Sequence, residues 1–296
     1  MRITELGEFG LIKRIESWLR YKDPSIIKGI GDDCAVIEFD KERYMLLSSD
    51  MLVEGVDFTK DTPFYLIGRK AMGEVLSDIA AKAGIPRYAL VSLGLPKDMD
   101  LDSVNKLYKG FKFWMERFNF KIVGGDISKA DKLVIDISVV GFVDKQNLIL
   151  RSGARINDII FITGSLGKPK KEFYFVPRIK EAEYLVKNFR VNSMIDISDG
   201  LIQDLNHILE QSKVGAVIYE KLIPYNRNRD IGEVLTQGEE FELLFTLPVK
   251  EAKRLIATQN KLYQGIGQIV SSEYGLRLID RNFKERKVKI EGFQHF

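Results

Sequence analysis

The chain has 296 residues, 45% of them hydrophobic, enough for a sizeable core and, at roughly 150 residues per domain, for two domains. Lys and Arg number 45 against 42 Asp and Glu, a net charge of +3 with the basic residues scattered, which argues against a nucleic-acid binder. One cysteine, Cys34, leaves no intrachain disulfide, and only two histidines, His207 and His295, make a Ser-His-Asp triad or a zinc site hard to build. Chemistry therefore falls to carboxylates, hard ligands suited to Mg²⁺. Residues 1–10 mix charges with apolar residues, unlike a signal peptide, and no run of about 18 apolar residues marks a membrane span. The expected location is the cytoplasm.

Leu6, Phe9, Leu11, Ile12, Ile15 and Leu19 recur at helical spacing and predict an amphipathic helix over 5–20. Ala35–Ile37 and Tyr44–Leu47 read as strands, the second ending at Ser48-Ser49-Asp50. Ala71, Val75, Ile79 and Ala83 at spacing four predict a helix over 67–83, stopped by Gly84 and Pro86. A strand over 88–95, a helix over 101–118, a strand over 121–123 leading into Gly124-Gly125-Asp126, and a long strand over 133–143 follow. The polar stretch after Val143 marks a domain crossover, dividing the chain into 1–145 and 146–296. Beyond it, strands are expected at 159–163, 194–198, 214–219, 243–247 and 276–279, with helices at 180–188 and 200–211. The mixture indicates an α+β or α/β chain.

Five acidic segments stand out: Asp32-Asp33, Ser49-Asp50, Ser77-Asp78, Gly125-Asp126 and Asp196–Asp199. Most lie where an apolar strand stops, beside Gly or Ser. A lone Asp there is ordinarily a turn or cap residue. Five together, with so little histidine, suit phosphoryl transfer, which needs carboxylate-held metal ions to bridge phosphate oxygens. Gly164–Lys168 lacks the glycine spacing of a phosphate loop, and Pro169 stands where such a loop needs Ser or Thr, so it reads as a turn.

In order along nearly the whole chain, GIGDDCAVI (29–37), SDMLVEGVDF (49–58), LSDIAAKAGIP (76–86), VGGDIS (123–128), RSGARINDIIFITGSLG (151–167), IDISDGL (195–201), GEEFELLF (238–245) and GFQHF (292–296) resemble the thiamine-monophosphate kinase family. That family belongs with aminoimidazole-ribonucleotide synthetase. The resemblance implies a two-domain aminoimidazole-ribonucleotide synthetase-like fold, with an N-terminal sheet domain that pairs with its twin in a homodimer and a C-terminal α/β domain. It implies transfer of the γ-phosphate of ATP to thiamine monophosphate, with Mg²⁺, in a cleft between the domains. By position, Asp33, Ser49, Asp50, Asp78, Asp126, Asp196 and Asp199 correspond to Mg²⁺-binding positions, supported by Asp32. Tyr108, Gly124, Gly125, Arg151 and Ser198 correspond to nucleotide contacts. Asp57, Glu239 and Phe293 fall on the thiamine side.

The chain departs from the family pattern at several places. Asp57 stands where the family usually has His, Glu240-Phe241 where it has Asp-Tyr, Gln237 where it commonly has Gly, and Lys82-Ala83-Gly84 where it often has Ala-Met-Gly. Other readings at this stage are a selenophosphate synthetase, an aminoimidazole-ribonucleotide synthetase, a hydrogenase-maturation carbamoyl dehydratase, or a nucleotide-binding scaffold without catalysis. The position of Cys34, after the Asp pair, counts against the selenium enzyme, and the end at His295-Phe296 counts against the dehydratase.

Overall fold

A computed structural model describes residues 2–19 and 22–293. The first sheet is built from β1 (Ile26–Lys28), β2 (Ala35–Glu38), β3 (Arg43–Val53), β4 (Ile85–Leu95), β5 (Lys121–Lys129) and β6 (Val134–Asp144), in the order β1-β2-β3-β6-β4-β5. β6 is an 11-residue strand, as are β3 and β4, and lies between them. It pairs antiparallel with β3 from Val134 opposite Val53 to Asp144 opposite Arg43. That ladder carries β3 straight through Ser48-Ser49-Asp50, where the apolar pattern stops and a strand end is expected. Pairing with β4 carries β5 through Gly125-Asp126 in the same way. Satisfied backbone hydrogen bonds outweigh the poor strand preference of Ser, Asp and Gly.

Alternation sorts the sheet into two faces. Leu46, Leu52, Ile135, Ile137, Val139 and Val91 are buried in one core with helices α2 (Phe64–Ala81) and α3 (Leu101–Phe118). The opposite face presents Leu47, Met51, Tyr88 and Leu90 to solvent. The two helices cross at glycines. A Cβ on Gly68 would sit 2.2 Å from the Leu107 carbonyl oxygen, and one on Gly110 would sit 2.4 Å from that of Tyr65. A helix, α1 (Ile3–Trp18), precedes the sheet; it is broken at Gly7 (φ 65°) and none of its residues is fully buried, so the amphipathic face expected from the spacing is not packed into a core.

The second sheet has the order β13-β12-β9-β11-β7-β10-β8. Its strands are β7 (Ile159–Thr163), β8 (Ser193–Asp196), β9 (Gly215–Tyr219), β10 (Leu243–Leu247), β11 (Tyr263–Val270), β12 (Leu276–Ile279) and β13 (Glu285–Lys287). Ile160, Ile162, Leu244 and Ile195 face one core with α6 (Leu201–Ser212) and α7 (Ile231–Thr236). Phe161, Phe245 and Met194 face another with α5 (Ile179–Asn188) and α8 (Val249–Ala257). A short helix, α4 (Lys171–Tyr174), leads into α5.

Helix α2 is the joint between the halves. It lies on the first sheet and also touches α4, α5 and β8 of the second half. Most of its residues are therefore buried, including Lys70. Lys70, Glu74, Asp78 and Lys82 follow one another at spacing four from α2 into its C-cap, so one charged stripe runs along the joint.

Candidate active site

Around Asp78 this stripe meets the acidic segments. One carboxylate oxygen from each of Asp33, Asp78 and Asp196 lies within 4.8 Å of the others. The three come from the loop before β2, the last turn of α2 and the end of β8. Serine hydroxyls orient two of them: Ser48 Oγ donates to Asp78, and Ser77 Oγ donates to Asp196 Oδ2 at 2.6 Å. Two cations, the buried Lys82 and the partly buried Arg151, hold the third. Arg151 donates to Asp33 Oδ1 from Nε (3.0 Å) and from NH2 (2.6 Å). Lys82 Nζ stands 2.7 Å from Asp33 Oδ2 as an ion pair without hydrogen-bond geometry. Lys82 also bonds Asp32, whose other oxygen accepts the Arg151 backbone N–H at 3.1 Å.

The electrostatics follow from burial. Burial, then the Asp136 charge, pushes Asp50 up to about 6. Burial, then Asp33, pushes Asp196 up to about 7. Asp78 is raised well above the carboxylate range by burial and by its neighbours Asp50, Asp196 and Asp33. Asp33 alone is lowered: burial opposes ionisation, and the Arg151 and Lys82 charges together outweigh it. A concentrated set of carboxylates short of positive charge suits a hard divalent cation. The donors are all oxygen, and the buried Oδ1 of Asp196 has no hydrogen-bond partner among the described residues. The residues present therefore fit Mg²⁺.

At the other end of the stripe, Lys70 Nζ donates to the Asp57 carbonyl oxygen at 2.7 Å and to the Glu239 carboxylate, with Glu74 at 3.7 Å. Glu239 is thus tied across from the second half to α2. It sits in a turn held by Glu239 N–H donating to Ser198 O (2.7 Å) and Phe241 N–H donating to Ile197 O (2.8 Å). Both Glu239 (φ 61°) and Phe241 (φ 48°) adopt the left-handed conformation. Behind them, Glu242 is buried against Thr163, Lys171 and Arg178, and Glu240 against the Gly167 N–H and Lys171. Asp57 turns inward locally, its Oδ2 accepting the Val53 N–H at 2.7 Å.

The remaining sequence candidates are placed as follows. Ser49 points to the open face, where its hydroxyl meets Asp136 (3.2 Å) and Ser138 (3.0 Å), so Ser48 is the serine brought to the cluster. Asp126 is exposed, in register with Ser92 and through it with Asp136. Gly124 and Gly125 precede it, and a Cβ on Gly125 would lie 1.8 Å from the Val91 carbonyl oxygen. Asp199 and Ser198 lie on the turn from β8 into α6, where Asp204 Oδ2 accepts the Asp199 and Gly200 N–H groups at 3.1 Å. Asp199, Asp204 and His207 form a second close group. Tyr108 lies on α3 with its ring edge-on to Phe111. Phe293 is 48% exposed, its N–H donating to Asp199 O at 2.9 Å, with its Cβ facing Gly238. The last residues of the GFQHF motif, 294–296, lie outside the described residues.

Sequence reasoning missed Lys70, Ser48, Asp136 and Asp204, and treated Lys82 only as a departure. A signal existed for two of them, since charges at 70, 74, 78 and 82 repeat at helical spacing beside the apolar set 71, 75, 79 and 83. Cys34 is buried and its thiol is pushed well up by burial and nearby aspartates, the opposite of a reactive nucleophile.

This two-sheet architecture defines an AIR synthase-related protein. Residues 31–143 match the family described as AIR synthase related protein, N-terminal domain, and residues 140–278 match AIR synthase related protein, C-terminal domain. Within that class the chain belongs to the thiamine-monophosphate kinase family. It is 35% identical to the thiamine-monophosphate kinase of Buchnera aphidicola subsp. Schizaphis graminum, covering 99% of each chain, and 32% identical to that of Aquifex aeolicus, covering 100% of each. Among solved structures it superposes on AaThiL complexed with AMPPCP and TMP with a TM-score of 0.87 at 31% identity, covering 100% of this chain and 99% of the other.

Proposed function

We propose that this chain transfers the γ-phosphoryl group of ATP to thiamine monophosphate, giving thiamine diphosphate and ADP. The observation that carries the reading is the Asp33–Asp78–Asp196 cluster at the junction of the two halves, in a chain similar throughout to thiamine-monophosphate kinases. The AaThiL structure in complex with AMPPCP and TMP supports ATP and thiamine monophosphate as the substrates. Asp33, Asp50, Asp78 and Asp196 would hold Mg²⁺, with Asp126 and Asp199 at the margins of the site. Bound there, Mg²⁺ supplies charge neutralisation between two phosphate groups.

The side chains divide the rest of the work. Arg151, Ser198 and the Gly124-Gly125 backbone face the nucleotide, with Tyr108 a more distant candidate. Glu239, held by Lys70, offers a carboxylate to the cationic thiamine rings, and the exposed ring of Phe293 offers them a face. Asp57 shapes the β3 end of that pocket. The acceptor is a phosphate monoester, already anionic near neutral pH with a second pKa of about 6, so transfer needs no general base. The described histidine agrees: burial pushes His207 down to about 4, and it is engaged with Gln203. Direct in-line transfer follows, without a phosphoenzyme.

The assay is ADP release with and without thiamine monophosphate. Release that depends on it supports the kinase, and nucleotide binding without turnover supports a scaffold. The apolar side chains left exposed on the open face of the first sheet support a homodimer through that face. Leu90→Asp is expected to give a monomer in sedimentation, and an unchanged sedimentation coefficient would refute that surface.

A further inference from the structure

We infer that Lys82 is a built-in counter-ion of the carboxylate cluster, a side-chain cation holding the oxygens of Asp32 and Asp33 that would otherwise draw a divalent ion. The inference rests on the metal reading of the site and deepens it.

Lys82 is fully buried, yet it follows Ala81 and precedes Ala83, both packed in an apolar core. Burying an ammonium among such neighbours is costly unless its charge is matched. It is matched. Nζ bonds Asp32, pairs with Asp33 Oδ2 at 2.7 Å and donates to the Met194 carbonyl oxygen at 3.2 Å. The residue also caps the C-terminus of α2, where the helix dipole favours a cation.

The consequence lies in which oxygens remain. Arg151 takes Asp33 Oδ1 and Lys82 faces Oδ2, so both Asp33 oxygens are claimed. Asp33 Oδ2 and Asp196 Oδ1 both lack a hydrogen-bond partner among the described residues, but Asp33 Oδ2 has the Lys82 ammonium 2.7 Å away, whereas Asp196 is in no ion pair there. Metal charge is thereby met first by Asp50, Asp78 and Asp196, with Asp33 joining only in competition with Lys82 and Arg151. Five carboxylates (Asp32, Asp33, Asp50, Asp78 and Asp196) are set against two side-chain cations, and removing Lys82 raises the local demand for divalent charge. Lys82 acts through the carboxylates and is a positioning residue.

The test is Mn²⁺ binding by the full chain, followed by electron paramagnetic resonance of free Mn²⁺, with melting curves in EDTA and in Mg²⁺. Lys82→Met is expected to bind roughly tenfold tighter or to take one more ion. Its melting temperature should rise more on adding Mg²⁺ than that of the wild type, and Lys82→Arg should restore wild-type behaviour. Asp32→Asn, which leaves the Lys82 charge less compensated beside Asp33, is expected to bind Mn²⁺ at least about threefold more weakly. It decides the matter if Lys82→Met does not fold. Titrations of these variants that superimpose on the wild type overturn the inference alone. Absence of Mn²⁺ binding by the wild type overturns the metal reading, and this inference with it.

Discussion

The two ends of the charged stripe along helix α2 carry the same residue type to opposite effect. Lys70 and Lys82 are both buried lysines on one helical stripe, and each bridges the two halves of the molecule. Lys82 is enclosed with Asp32 and Asp33, whereas the Glu239 that Lys70 holds is 42% exposed at its side chain. Enclosure makes the Lys82 end a fixed electrostatic frame. Exposure makes the Lys70 end a surface on which a ligand can replace or extend an existing ion pair. A helix can thus position a metal site and a recognition site together when its charged residues repeat at spacing four.

Variants should separate the two ends. The largest effect is expected at the enclosed end. Asp78→Asn and Asp196→Asn should each lower kcat by about 10³-fold or more while the fold persists, as removal of transition-state charge stabilisation does. Steady-state kinetics together with circular dichroism check this, and near-normal kcat in both would break the assignment. At the other end, Glu239→Gln should raise KM for thiamine monophosphate about tenfold, leaving KM for ATP near wild type, the loss of one charged contact. An equal rise in both KM values would show that the turn, rather than the carboxylate, had been damaged.

A smaller effect concerns pH. Asp50 (about 6) and Asp196 (about 7) are raised by burial in the folded chain, so their contribution to stability is complete below the ordinary carboxylate range and is lost as pH rises through those values. His207 runs the other way, its lowered value adding stability as pH climbs from about 4 to its ordinary value of 6.5, so the clean window opens at about pH 6.5 and closes soon after Asp196 has ionised. In EDTA the melting temperature should fall modestly between about pH 6.5 and 7.5 and then level off, and saturating Mg²⁺ should flatten that fall. An Asp196→Asn variant should show a shallower fall. A melting temperature that rises with pH across this window would contradict the burial account. The smallest effect is expected at Asp57, whose carboxylate serves the Val53 N–H. Asp57→Ala should cost about 1 kcal/mol of stability in denaturant unfolding, the worth of one hydrogen bond, with little change in KM. A large KM change would give Asp57 a place on the substrate.

Much of the fold is legible in the sequence because its helices and core strands are strongly periodic. The helices over 101–118 and 67–83 and the strands at 159–163 and 243–247 appear in the structure with small shifts at their ends. What the sequence conceals is decided by pairing. β3 and β5 run on through Ser49-Asp50 and Gly125-Asp126 because neighbouring strands supply hydrogen bonds, and no local pattern reports that. β11, rich in Gly and Gln, and the charged β13 carry no alternation to find. At the site, the aspartates are visible as residue types in ordered motifs. Their partners are less so: Ser48 and Ser49 differ only in strand parity, and Lys82 and Lys70 resemble surface lysines until packing against the second half buries them.

In this reading the enclosed carboxylates serve transfer from ATP to the phosphate of a thiamine monophosphate whose rings lie at the Lys70–Glu239 end. The most direct measurement follows the label from γ-³²P-ATP in the presence of Mg²⁺ and thiamine monophosphate. Label is expected in thiamine diphosphate, with none retained on the protein after quenching and no transfer in EDTA. Labelled protein, or ADP formed at the same rate without thiamine monophosphate, would contradict this reading.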